Sequence, residues 1–518
     1  MRGSFLSVSI MDINEEIRQV RNRLRIYCGD SIVAQALRVL HHQFPSPLED
    51  LKAAPWLTLL MVKWAVQDKL VYQSIGRVIT PQEFDKLRQL LWDIQGIMSS
   101  GQNTPNVYAM LRAMLHPQIQ FQRRETWGFL RWPALIAQLD MSHPNRTQFE
   151  NTFLMSPETL MDLSFAIYTQ VLNEKKTLPP DYFVSIEGCY GNSISIFLEL
   201  FSRDFSSLRL ELRKNVIHPL QGRIEFFEFP YLQRFPIFRT PDGVLNFWHR
   251  SVFARGMEDA VHLRLSDFGS SYTEPFSRIF EKYVLGLLKE ANVSFFGEGE
   301  VRATFGNKSS TVEAVIDCLD CNVFIEAKMS LYWDDVLLDD DPQQIFNKTE
   351  HVRKAIQQGW QASDLLRSGR GPLGKTANKE RDFLLVVTSR QINISGGNML
   401  NNLYPDKFFE QVLPFEKRQY LPPENIFVLS IEDFEQLASC LHADGVDLGS
   451  FLRKAAIANS DPKTSRMFFS DFLKEHQGNN RSQPRLIQLA LDESITRLSR
   501  ALGDEGSEFN GKPPPSTP

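Results

Sequence analysis

The sequence predicts an α/β protein in which a large, mainly helical region precedes an α/β domain, and three observations carry that expectation. Apolar residues recur at helical spacing through most of residues 1–220. Aromatic-rich extended segments begin after Gly222, and an alternating, largely apolar stretch runs from Val312 to Lys328. At 518 residues the chain exceeds what one hydrophobic core ordinarily organises, so two or three domains are expected.

The helical region offers segments at 14–42, 54–69, 81–99, 105–115, 157–175 and 192–214. Phe84, Leu87, Leu90, Leu91 and Ile94 show the spacing of one buried face. Pro81, Pro105 and Pro157 stand where a first-turn proline is tolerated, and each marks a start. No repeat of constant period is present, which excludes a helical solenoid. Extended segments at 224–229, 235–239 and 244–248 flank the turn sequence Thr240-Pro241-Asp242-Gly243 and predict a β-hairpin. Next come a helix at 275–292, strands at 301–305, 311–319 and 323–328, a helix at 343–367, a strand at 382–388 and a strand–helix pair at 426–441. The expected division is a helical domain at 1–220, a hairpin and connector at 221–270, an α/β domain at 271–445, a helical region at 446–503 and a proline-rich, disordered tail at 504–518.

Composition narrows the function. With 42% hydrophobic and 23% charged residues the chain reads as globular. A net charge of −5 excludes a protein that coats nucleic acid by a global basic field, but not an enzyme with a local basic groove. Five scattered cysteines suit a reducing cytoplasm. Cys318 and Cys321 form a lone C-x-x-C without a second pair at zinc spacing, so they are expected as residues of a strand turn. The strongest apolar stretch, 56–66, carries Lys63 and falls short of the roughly 20 residues a membrane helix needs, so no membrane partner is expected.

The chemistry concentrates between Thr311 and Leu331. Alternation places Asp317 on one face of its strand, with Ala314, Ile316 and Cys318 on the other. A turn at 320–322 follows, and the next strand carries Glu326 and Lys328 two residues apart. Asp317, Glu326 and Lys328 are therefore expected on one side of a hairpin. Their neighbours Val323, Phe324, Ile325 and Ala327 are apolar, as in a strand covered on both faces, where charged groups need a reason. Two carboxylates make a hard-oxygen site for Mg²⁺ or Mn²⁺, with the Ala327 carbonyl as a further ligand and Lys328 as the cation carrier.

Asp317, eight residues, then Glu326-Ala327-Lys328 resembles the core of the PD-(D/E)XK, or restriction-endonuclease-like, superfamily, and the element order matches its αβββαβ core. The resemblance covers about residues 271–390 and departs where Ile316 replaces the motif's proline. It implies an Mg²⁺-dependent endonuclease that hydrolyses phosphodiester bonds, with Glu281 as an added acidic residue from the first helix. Gln357, Gln361 and Lys354 of the following helix would approach nucleic acid, DNA rather than RNA. No base-reading motif is visible, so low sequence specificity is expected. Bacterial proteins that join a long N-terminal region to such a domain resemble anti-phage defence nucleases, which casts the helical domain as a sensor or a surface for a protein trigger. An RNA-cleaving enzyme of the same fold and a catalytically inactive nucleic-acid-binding or scaffolding module are the alternatives.

Two further features compete for attention. Residues 369–376, ending Gly374-Lys375-Thr376, fit the string of a P-loop, but a helix precedes them and a strand follows, the reverse of what phosphate binding requires, so an NTPase is disfavoured. Asp334, Asp335, Asp339, Asp340 and Asp341 form an acidic connection, read either as a solvated loop or as a shield over the substrate groove.

Overall fold

A computed structural model describes residues 13–503 except 43–48, 50–52, 100–105, 123–126, 215–221, 306–311, 331–336, 340, 369–372, 374–378, 444, 462 and 475–482. It is a mixed α/β structure with two sheets. The smaller contains β1 (Thr177–Leu178), β2 (Ser202–Arg203), β3 (Ile237–Arg239) and β4 (Leu245–Phe247) in the order β1-β4-β3-β2. The larger contains β5 (Phe296–Gly297), β6 (Ala314–Asp317), β7 (Cys321–Lys328), β8 (Arg381–Thr388) and β9 (Ile426–Ser430) in sequential order. Within it β5, β6 and β7 are antiparallel neighbours, and β8 and β9 continue parallel to β7.

The larger sheet is covered on both faces, which explains why its central strands are almost continuously apolar. On one side Ala314, Ile316, Val323, Ile325, Phe383, Leu385, Val387 and Phe427 join Phe276, Phe280 and Val284 of the Ser270–Glu290 helix. On the other, Val315, Phe324, Leu384 and Val386 meet Val352, Ala355 and Ile356 of the Glu350–Arg367 helix. That second contact is close: a Cβ on Gly359 would stand 2.7 Å from a methyl carbon of Leu384.

The N-terminal helices add to these same two cores. The Pro55–Gln67 helix is buried all round, and Lys63 within it is held by Glu225 at 3.0 Å and Glu228 at 2.6 Å. Residues of 17–98 share the core of the Glu350–Arg367 side, whereas residues of 129–201 share the core of the Ser270–Glu290 side. Arg131 ties the second group to the sheet domain through Glu258 at 2.7 Å and Glu435 at 2.6 Å.

Several expected elements differ locally. The 14–42 segment breaks into Ile13–Leu24 and Gly29–Leu40, and the 192–214 segment is interrupted by β2. The helix expected from Pro275 begins at Ser270, and the one expected at 343–367 divides at Thr349. Residues 224–229 are not a strand, since a helix spans Gly222–Phe227, yet β3 and β4 form the expected hairpin around Thr240. The strand expected at 301–305 is part of the Glu298–Phe305 helix, where Glu298 and Arg302 pair one turn apart. Pro81 and Pro157 do open helices, while Pro105 lies outside the described residues.

Candidate active site

Register decides which charged residues meet. β6 and β7 pair as Ala314↔Ile325, Val315↔Phe324, Ile316↔Val323 and Asp317↔Asn322. Asp317 does share a face with Glu326, but it sits beside the turn. Four residues of strand, about 13 Å, separate Asn322 from Glu326. The Asp317 carboxylate instead pairs with Lys379 at 3.2 Å and is largely exposed. The expectation that Asp317 and Glu326 share one metal is therefore corrected. A hairpin unites residues equidistant from its turn, and the partner of Glu326 on that count is Glu313. The Glu313 amide donates to the Ile325 carbonyl at 3.0 Å, which fixes it beside Glu326.

Glu326 is fully buried, and one of its oxygens accepts from the Lys328 ammonium. The other, Oε2, is buried without a hydrogen-bond partner. Burial pushes the Glu326 carboxyl up to about 7. Lys328 opposes the rise, Glu281 adds to it, and the nearby Glu313 amide is a smaller opposing influence. Burial also pushes half-buried Glu313 up to about 8, followed by repulsion from Glu326, Glu281 and Glu298 and relieved in part by Lys328. Glu281, half-buried on the Ser270–Glu290 helix, is raised first by burial and then by Glu298, against Lys328 and Arg278. Four carboxyls and one lysine thus share one electrostatic field at the C-terminal end of β7. His351, in the first turn of the Glu350–Arg367 helix, lies within the same field: although its side chain reaches the surface, desolvation by its surroundings, opposed by Glu350 and aided by Lys328 and Lys354, holds its imidazole below the ordinary range.

Among the described residues no three His, Cys, Asp or Glu side chains stand at metal-binding spacing. The donor chemistry nevertheless fits a divalent cation. It is all oxygen, it includes an unpartnered buried carboxylate oxygen, and its carboxyls repel one another with only Lys328 among them to oppose the repulsion. The carbonyl of Ala327 lies two residues beyond that of Ile325 and points to the same strand edge.

No family model, no curated protein and no solved structure matches this chain.

The expected nucleic-acid contacts divide. Gln357 donates to the Gln411 carbonyl at 2.9 Å, and Trp360 to the Val412 carbonyl at 3.2 Å, so this flank of the helix is engaged with 408–412. Gln361 stands roughly 15 Å along the axis from His351, away from the carboxyls. Lys354 is exposed, pairs with Glu350 at 2.7 Å and lies one turn from His351, which leaves it nearest the site. Of the acidic connection, Asp339 holds Lys348 at 3.2 Å and accepts from buried Arg112 through its carbonyl at 3.3 Å. Asp341 caps the Pro342–Lys348 helix by accepting from the Gln343 amide. Asp334, Asp335 and Asp340 lie outside the described residues, as does the P-loop-like string apart from buried Leu373.

Sequence reading missed Glu313 and Glu298. Glu313 carried a usable signal, the symmetric count about the turn. Glu298 carried none, because it arrives from a helix inserted between β5 and β6.

Proposed function

We propose that the chain is a metal-dependent nuclease of the PD-(D/E)XK type in which Glu313 stands where the motif has its aspartate, with Glu326, Lys328 and Glu281 completing the site. The observation that carries this reading is the buried Glu326 carboxylate, with one oxygen on Lys328 and the other unpartnered, set beside Glu313 and Glu281, whose carboxyls burial and mutual repulsion shift upward. The order of a helix, three antiparallel strands, a helix and a parallel strand supports it, as does the position of the carboxyls where β7 ends.

Glu313, Glu326 and the Ala327 carbonyl would hold Mg²⁺ or Mn²⁺, with Glu281 close enough to share the charge. The cation, when bound, polarises a phosphodiester oxygen and acidifies water. The protein's own part is to present deprotonated carboxylates and to aim Lys328. Once Glu326 has another counter-charge, the Lys328 ammonium is released to a non-bridging phosphate oxygen or to the attacking water. Lys354, one turn along the neighbouring helix, would meet the flanking backbone as a phosphate contact without sequence information.

In this reading DNA is the substrate, cut with low sequence specificity. A defence role with a protein trigger on the N-terminal helices would follow from that activity. Incubating plasmid DNA and a structured RNA with the protein in Mg²⁺, in Mn²⁺ and in EDTA tests it. Cleavage should require the cation and fall at least about 100-fold in Glu313→Gln and Glu326→Gln. Asp317→Asn should cut like the wild type. Loss of cleavage in Asp317→Asn with full activity in Glu313→Gln would overturn the assignment, and cleavage of RNA alone would overturn the choice of substrate.

A further inference from the structure

The C-x-x-C is unused by the proposed catalysis and lies at the opposite end of β7. Cys318 and Cys321 close the β6–β7 hairpin, and the Cys318 amide donates to the Cys321 carbonyl at 3.0 Å. Cross-strand positions joined in this way have Cα atoms about 5.5 Å apart, inside the window of roughly 4.4–6.8 Å that a disulfide spans. Lys379 pins the turn by donating to the carbonyls of Cys318 at 2.9 Å and Leu319 at 2.8 Å.

The first turn of the Leu448–Ser460 helix lies directly on the two sulfurs. A Cβ on Gly449 would stand 3.0 Å from Cys321 Sγ and 3.3 Å from Cys318 Cβ, a crowding that glycine avoids as the helix approaches. The Cys321 thiol and the Gly449 amide both donate to the Cys318 sulfur, which holds the Cys318 thiol below its usual range. Donating to that sulfur, together with burial, pushes Cys321 up. The two cysteines also differ in access, Cys318 being half-buried and Cys321 fully buried. Among the described residues no third metal-type side chain joins them, which leaves zinc without its ligands.

We propose that Cys318 and Cys321 are a redox-active dithiol that exchanges with low-molecular-weight disulfides, Cys318 attacking and Cys321 resolving. The Cys318 thiolate attacks one sulfur of a disulfide RSSR. The Cys318–S–S–R bond forms as the S–S bond of RSSR breaks, and the departing RS⁻ takes a proton from water. Cys321 then gives up its proton to solvent and attacks the Cys318 sulfur, displacing the second RS⁻. In sum the dithiol is oxidised to an intrachain disulfide while RSSR is reduced to two RSH, and a reducing dithiol reverses the reaction.

The test uses the full chain carrying Cys189→Ser, which removes the exposed cysteine. It is incubated with oxidised glutathione, quenched with an alkylating reagent and mapped by mass spectrometry. The expected product is a Cys318–Cys321 disulfide, with no lasting glutathione adduct, that dithiothreitol reopens. In the same background Cys321→Ser should trap glutathione on Cys318, and Cys318→Ser should leave Cys321 unmodified. Gly449→Ala, which displaces the helix from the sulfurs, should slow alkylation of Cys318 several-fold at neutral pH. Glutathione persisting on Cys318 when Cys321 is present, or both thiols remaining unreacted until denaturant is added, would overturn the proposal. The peptide map of the Cys189→Ser chain decides the matter alone if either serine variant fails to fold.

Discussion

Glu326 shows why one residue in a strand covered on both faces carries so much of the reading. Its folded carboxyl sits near 7 and that of Glu313 near 8, against about 4.3 for an unfolded glutamate. A raised carboxyl favours the folded state fully below the unfolded value, and that contribution is lost as pH rises through the folded value. Without metal the protein should therefore lose stability between about pH 5 and pH 8. Glu326→Gln, which cannot ionise, should flatten that slope and be more stable than wild type at pH 8 by roughly 1–3 kcal/mol. Thermal melts in EDTA at pH 6 and pH 8 measure both effects, and a wild type whose melting temperature rises with pH would contradict them. If the site takes Mg²⁺ as proposed, the cation should raise the wild-type melting temperature at pH 8 more than that of the variant, because it would bind the folded, deprotonated site alone. Protons compete for the same oxygens, so cleavage at limiting Mg²⁺ should climb between pH 6 and pH 8.

At the scale of elements, the larger sheet was legible because its strands are apolar on both faces, and the two long helices beside it because their buried stripes recur at helical spacing. Register was harder to read. Glu326 and Lys328 were found from alternation within one strand, but the partner across the ladder depends on where the turn closes, and the nearer acidic residue in sequence, Asp317, drew the assignment away from Glu313. The segment 301–305 failed for a local reason. Val301, Ala303 and Phe305 alternate as a strand would, whereas the Glu298–Arg302 pair commits the chain to a helical turn. Asp339 and Asp341 of the acidic connection also act locally. Asp339 neutralises Lys348 beside buried Arg112, and Asp341 caps a helix. Asp341→Ala should cost about 1 kcal/mol through the lost cap, and Asp339→Ala should destabilise further. Neither should raise DNA affinity at low salt. A several-fold gain in affinity that fades with added salt would restore the shield reading.

At the scale of the molecule, the N-terminal helices are structural partners of the sheet. Both cores draw on both halves of the chain, and the link between halves includes a buried network that sequence could not show, because it joins Arg131 to Glu258 and both Arg131 and Arg255 to the distant Glu435 and Glu432. Arg131 meets Glu258 and Glu435, the Tyr283 hydroxyl donates to Glu435 at 2.6 Å, and Arg255 bridges Glu258 to Glu432 at 2.7 Å. These groups are buried. Arg131→Met keeps much of the side-chain volume but leaves Glu258 and Glu435 short of a counter-charge, at a cost of about 3–5 kcal/mol. Its urea midpoint should fall accordingly, with the slope of the transition unchanged if unfolding stays a single event. A fragment beginning near residue 221 would expose the apolar faces that residues 17–98 and 129–201 cover, so it should aggregate or fail to give a cooperative melt. Supplying the 1–220 piece in trans should rescue it only through co-folding. A fragment that melts cooperatively and cleaves DNA on its own would show instead that the helical half is a separable domain.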